Sequence, residues 1–209
     1  MLILNEKTDN NAILAMWKVE ESVEELLAML FNRPEHLTAI GKMGAEKRQK
    51  EYLVSRVLLN TVLNDDKTIA YHPNGAPYIT DHSYNISIAH TGQYVTILLH
   101  PTAKVGIDIE RISDKVVRVK SKFLAEAEMA MLDPDNNKTQ LALLWAAKEA
   151  LYKIVGVETV DFVGGLKVEA FKPYLEGEMQ AEECVTPAHQ HYQLDYRVFP
   201  EFVLVWTIA

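Results

Sequence analysis

The spacing of apolar positions divides the chain into short strands and a few longer helices. Ile13 to Val19 is an apolar run of strand length, and it leads into a helix around Val23 to Leu30. Tyr52, Leu53, Val57 and Leu59 carry the apolar stripe of a long helix from about Ala45 to Leu63, with Arg48 and Arg56 as basic members. His72 to Pro77 is a turn by its Pro, Asn and Gly content. Asn85 to Ala89 and Tyr94 to Leu99 read as strands, with His90 to Gln93 as the short connection between them. Val105 to Glu110 is another strand. Ser113 is the expected cap of a helix running toward Phe123, and a second short helix ends at Asp133 and Pro134. Gln140 to Val155 is a strong helix stopped by Gly156. The remainder reads as strands, closing with His191 to Phe199 and Phe202 to Ile208.

These elements make the chain α+β. The hairpin patterns at 84–99 and 192–206 echo one another, which predicts a pseudo-dimer of two similar halves. Each half would be helices packed on a small antiparallel sheet, with the halves at 1–103 and 104–209.

Composition narrows the setting. Hydrophobic residues make up 48% and charged residues 24% of the 209, as in ordinary globular chains. Cys184 is the only cysteine, so no internal disulfide forms and a reducing, cytoplasmic compartment is expected. The first residues lack a basic segment followed by an apolar one, so no signal peptide is expected. The apolar runs are too short to cross a bilayer. The net charge of -8 opposes nucleic acid, and opposes an acidic protein partner unless basic residues are gathered locally.

Two segments carry candidate chemistry. In Val105 to Glu110, alternation sends Val105, Ile107 and Ile109 into a core and Gly106, Asp108 and Glu110 to the other face. Two carboxylates two residues apart repel unless a cation lies between them, and hard oxygen donors suit Mg²⁺. Gly106 would leave room for a ligand. A solvated polar face reads the same way. In the later helix, Trp145, Glu149 and Lys153 recur every fourth residue. A Glu–Lys pair at that spacing is commonly a surface ion pair, yet the preceding Leu141 to Ala147 run is too apolar to be mostly exposed.

The ordered pair, Gly106-Ile-Asp108-Ile-Glu110 and Trp145-Ala-Ala-Lys148-Glu149-Ala-Leu-Tyr-Lys153, resembles the 4′-phosphopantetheinyl transferase superfamily. Pro73 to Tyr78 resembles its Gly-Lys-Pro loop, Asn85 to Gly92 its Asn-x-Ser-x-Ser-His-Ser segment, and Arg48 to Arg56 its first long helix. The length and two-half layout are similar to the surfactin-synthetase-activating, single-chain type. Members move phosphopantetheine from coenzyme A to a serine of an acyl or peptidyl carrier protein and release adenosine 3′,5′-bisphosphate.

The resemblance implies Asp108, Glu110 and Glu149 as Mg²⁺ ligands, with Asp108, Glu149 and Lys153 as catalytic residues. Glu149 is also the implied general base, and ligand and base compete as its role. Arg48, Arg56, His90, Thr91 and Lys153 are implied coenzyme A contacts, His90 at the 3′-phosphate. A solvated basic face is the other reading of Arg56. The first half would then bind coenzyme A, and the second would hold the metal and the carrier-docking helix. Three positions depart from the pattern: Ala76 replaces the lysine of Gly-Lys-Pro, Ala89 a serine, and Ala146 a small hydroxyl residue. Loss of the lysine predicts weaker coenzyme A binding unless Lys42, Lys47 or Lys104 substitutes.

Lys115, Arg118 and Lys122 fall on one helical stripe beside the apolar Val116, Val119 and Phe123. This basic stripe is the expected docking surface for an acidic carrier protein. A monomer is expected, without nucleic acid or membrane partners. The competing readings are a catalytically weak relative that binds coenzyme A or a carrier, and a metal-dependent nuclease. The acidic net charge and the helical Glu–Lys spacing speak against the nuclease.

Overall fold

The computed structural model describes residues 1–8, 10–134, 137–157 and 159–209. They form two units, Met1–Thr102 and Ala103–Ala209.

In the first unit, strands β1 (Leu2–Lys7) and β2 (Ile13–Lys18) precede helices α1 (Val23–Ala28), α2 (Arg33–Ile40) and α3 (Glu46–Leu63). The short strands β3 (Ile69–Tyr71) and β4 (Pro77–Ile79) pair with each other. The longer β5 (Asn85–Thr91) and β6 (Tyr94–His100) complete an antiparallel sheet of order β1-β2-β6-β5. Ser22 starts α1 through a reciprocal cap: its hydroxyl accepts from the Glu25 N–H, and the Glu25 carboxylate accepts from the Ser22 N–H. Asn64 ends α3 in the left-handed region at φ 50°. Leu26, Leu53, Val54, Val57 and Leu58 pack with Ala15, Trp17, Val95 and Ile97 of the sheet.

The sequence pattern misses β1 and α2. In β1 alternate positions are only half-buried, and in α2 Ile40 alone is buried, so neither presents a clear apolar period. The 72–77 turn proves to be the tip of a hairpin. His90 and Thr91 are the last residues of β5, and the connection shrinks to Gly92 and Gln93, with Gly92 at φ 57°. A two-residue hairpin turn needs that positive φ at its first position, which glycine supplies without strain.

In the second unit, β7 (Val105–Arg111) is followed by α4 (Asp114–Val119), a 3₁₀ turn (Lys120–Lys122), α5 (Glu126–Ala130) and the long α6 (Asn137–Val155). Strands β8 (Leu166–Val168), β9 (Glu176–Glu183), β10 (His191–Val198) and β11 (Phe202–Ile208) complete a sheet of order β7-β11-β10-β9-β8. The helix expected to reach Phe123 stops at Val119 and tightens into the 3₁₀ turn. Ser113 flanks α4, but its side chain makes no capping hydrogen bond. Gly156, at φ 67°, ends α6 as expected, and its N–H bonds to the Tyr152 carbonyl. Among the described residues, no helix is long and apolar enough to cross a membrane.

The packing of α6 on β7 decides which way the acidic side chains face. Asp108 lies opposite Val205 and Glu110 opposite Val203, both members of the core built around α6. The carboxylate face of β7 is therefore the face that α6 covers. Gly106 serves that contact and leaves no space for a ligand: a Cβ there would sit 2.1 Å from the Ala150 carbonyl oxygen. Only a residue without a side chain lets helix and strand approach this closely.

Candidate active site

Alternation along β7 places Asp108 and Glu110 on one face, and the close approach at Gly106 sets the Glu149 and Lys153 turns of α6 over them. Lys153 donates to the Asp108 carboxylate at 3.0 Å and to the Ile107 carbonyl at 2.6 Å. The pairing predicted within the helix, Glu149 with Lys153, gives way to a cross-element bridge from α6 to β7. Burial pushes the Glu149 carboxyl above its ordinary range; the charges of Asp108 and Glu110 add to the rise, and Lys153 opposes it. Burial raises Glu110 as well, with Asp108 adding and Lys115 opposing. Two half-buried carboxyls raised beside a third carboxylate are a donor set short of positive charge. A divalent cation would relieve that repulsion, and oxygen donors suit a hard one.

A cavity of about 400 Å³ opens beside Glu110. Val116, Val119, Trp145 and Phe162 form its apolar walls, and Lys115 and Lys122 stand at it as cations. Trp145 is held edge-on to Phe123 and stacked on Phe162, with ring centroids 5.0 and 5.8 Å away. The basic stripe keeps its expected character despite the break in the helix: Lys115, Arg118 and Lys122 are exposed, while Val116 and Phe123 are buried.

Lys148 received no role from the sequence, and the structure supplies one. It is fully buried and donates to the Glu128 carboxylate (2.7 Å), the Phe123 carbonyl (2.6 Å) and the Phe162 carbonyl (2.7 Å). Glu128 also accepts from the N–H groups of Ala125 and Val168. Lys148 thus ties α6 to the segments that clamp Trp145. The only sequence signal was a lysine inside an apolar helical run.

The residues proposed for coenzyme A in the first unit differ in placement. Arg48 is exposed on α3. His90 is exposed on β5, with Nδ1 3.3 Å from a Glu51 carboxylate oxygen of α3. Arg56 does not lie on a solvated basic face. It is 4% exposed, lies 3.4 Å over the Tyr52 ring, and donates to the carbonyls of Tyr52 and Ile69 and to the Ser55 hydroxyl. Its guanidinium joins α3 to β3. Ala76 sits in the β3–β4 turn beside Gly75, whose φ is 84°.

Comparison with known proteins agrees with this geometry. Residues 104–206 match the sequence model of the 4′-phosphopantetheinyl transferase superfamily. The chain is 29% identical over 113 residues to the 4′-phosphopantetheinyl transferase gsp of Aneurinibacillus migulanus, covering 51% of this chain and 46% of that protein. It is 27% identical over 158 residues to the L-aminoadipate-semialdehyde dehydrogenase-phosphopantetheinyl transferase of Mus musculus, covering 64% and 51%. With the 4′-phosphopantetheinyl transferase AcpT of Escherichia coli K12 it shares 29% over 115 residues, covering 51% and 57%. The chain spans about half the length of the curated relatives it matches. The matched segment contains β7, α6 and every carboxylate of the cluster, and on it the chain belongs to the 4′-phosphopantetheinyl transferase superfamily.

Proposed function

We propose that this chain transfers the 4′-phosphopantetheine group of coenzyme A to a serine hydroxyl of an apo acyl or peptidyl carrier protein, releasing adenosine 3′,5′-bisphosphate. The observation that carries the proposal is the meeting of Asp108, Glu110, Glu149 and Lys153 from two elements inside the segment that matches the superfamily.

The mechanism assigns each side chain a task. Asp108, Glu110 and Glu149 would hold Mg²⁺, for which three clustered oxygen donors are suited. When bound, the ion acts as a Lewis acid that neutralises charge on the pyrophosphate. Lys153, already anchored on Asp108, places an ammonium beside a phosphate oxygen. In its alternative role Glu149 is not a ligand and receives the serine proton as general base. Arg48, His90 and Thr91 contact the phosphates of coenzyme A, and Lys115, Arg118 and Lys122 receive the carrier. The cavity beside Glu110 gives the serine its approach.

The layout proposed with this activity is the pseudo-dimer. In each unit a strand (β2 or β7) is followed by helices ending in the longest one. A hairpin then returns its last strand (β6 or β11) antiparallel to the first. A monomer in the reducing cytoplasm belongs to the same proposal.

The deciding experiment mixes the protein with apo carrier protein, coenzyme A and Mg²⁺ and weighs the carrier. The expected result is a phosphopantetheine mass gain that EDTA or Asp108→Ala removes. No gain with carriers from fatty acid, polyketide and peptide synthesis would overturn the transfer reading and favour a relative that only binds.

A further inference from the structure

A second cluster of metal-ligating side chains lies at the other side of the same sheet. Lys167 of β8, Glu182 of β9 and His191 of β10 are cross-strand partners, so they share one face. Cys184 follows Glu182 by two residues and stays on that side. The chain then turns, and His189, in the left-handed region at φ 47°, brings Nδ1 to 3.1 Å from a Glu182 carboxylate oxygen. The carboxylate oxygen of Glu182, the sulfur of Cys184 and a ring nitrogen of His189 all lie within 4.8 Å of one another. Strand β9 is three strands from β7 in the sheet, roughly 14 Å by ordinary strand spacing. The cluster therefore stands apart from the carboxylates of β7 and α6.

We propose that Glu182, Cys184 and His189 form a binding site for one divalent transition-metal ion of the zinc class. The donor set separates this site from the first: a thiolate and an imidazole select zinc-like ions, whereas the all-oxygen cluster suits magnesium. Tetrahedral coordination at zinc bond lengths puts ligand atoms about 3.5 Å apart, so the observed spread closes by side-chain rotation alone. Thiolate and carboxylate together offset the dication's charge, and the thiol proton leaves to solvent as the metal binds. His191, across from Glu182, or a water completes the fourth position.

The loop is fixed before any ion arrives. The buried Glu183 carboxylate, facing the opposite way, accepts from the N–H groups of Val185, Thr186 and Gln190 and from the Thr186 hydroxyl. That arrangement holds Cys184 and His189 at constant spacing, so binding costs little ordering of the backbone. Lys167, cross-strand from Glu182, stands beside the Cys184 sulfur, and being exposed on the surface it can turn away when a metal takes its place.

Because Cys184 is the only cysteine, its chemistry reports on the site without interference. The test titrates the full, chelator-treated chain with Co²⁺ and then with Zn²⁺. One equivalent of Co²⁺ should produce a thiolate-to-metal charge-transfer band that Zn²⁺ displaces, and Zn²⁺ should slow alkylation of Cys184. Cys184→Ser should abolish the band. His189→Asn, which tolerates the left-handed backbone, should weaken binding by at least about tenfold, since even outer-shell losses cost 10–100-fold. Asp108→Ala should leave the band intact. No band, a band unchanged by His189→Asn, or no protection of the thiol would each overturn the site.

Discussion

Lys148 lies between Trp145 and Glu149 in sequence, yet it packs and does not react. All three ammonium donors are used, and the one charged acceptor, Glu128, is itself buried and held by two backbone N–H groups. Burial pushes the ammonium below its ordinary value, and the Glu128 bond pulls it back. Replacing Lys148 by Met would leave the Glu128 carboxylate buried without a cation, at a cost of about 3–5 kcal/mol. Thermal or urea unfolding of Lys148→Met should show that loss, and adding Glu128→Gln should recover part of it. A single variant as stable as the parent would refute the buried pair. Ala76 poses the opposite case, a side chain absent where the Gly-Lys-Pro pattern that this loop resembles has lysine. Ala76→Lys should tighten coenzyme A by up to about fivefold, the scale of one exposed ion pair. Calorimetry showing no tightening would mean that the turn does not reach the phosphates. The sequence disclosed the carboxylates because charge in an alternating strand is conspicuous. It concealed Lys148, since residue type alone does not reveal whether a helical lysine points to solvent or into three acceptors.

At the scale of elements, the site depends on one contact, Gly106 against Ala150. Gly106→Ala would force its Cβ against a backbone carbonyl that has no rotamer to yield, so α6 must lift from β7. Overpacking of this kind costs about 1–3 kcal/mol. A shift near 1 Å between Lys153 and Asp108 would lower turnover by about a hundredfold. Measured kcat and unfolding midpoint should both fall, and a variant with parental activity would show that the close approach does not set the site. Arg56 makes the same point in the first unit. Arg56→Ala should destabilise by about 1–3 kcal/mol through the unpaired Ile69 carbonyl. Coenzyme A affinity should stay unchanged, and a large loss of affinity would restore its role at the phosphate. Long amphipathic helices such as α3 and α6 and the hairpins β5–β6 and β10–β11 were legible from periodicity. Strand β1 and helix α2 were not, because their burial is slight. Gly106 was visible as a glycine, but its partner lies 44 residues onward and only packing identifies it.

For the whole molecule, the net charge of -8 would repel an acidic carrier at long range, so the proposed docking depends on where the positive charges stand. Lys115 and Arg118 are exposed on α4, Lys122 follows on the 3₁₀ turn, and Lys115 and Lys122 adjoin the cavity beside Glu110. A carrier drawn to this face would bring its serine to the carboxylate cluster. Reversing both Lys115 and Arg118 to Glu should raise KM for the carrier about tenfold or more, leaving KM for coenzyme A unchanged. Salt gives an independent check. Raising ionic strength from 0.01 to 0.15 M shortens the screening length from about 30 to about 8 Å, which should weaken carrier binding to the parent and affect the reversed variant far less. An equal rise in both KM values, or the same salt dependence in both proteins, would place the docking surface elsewhere.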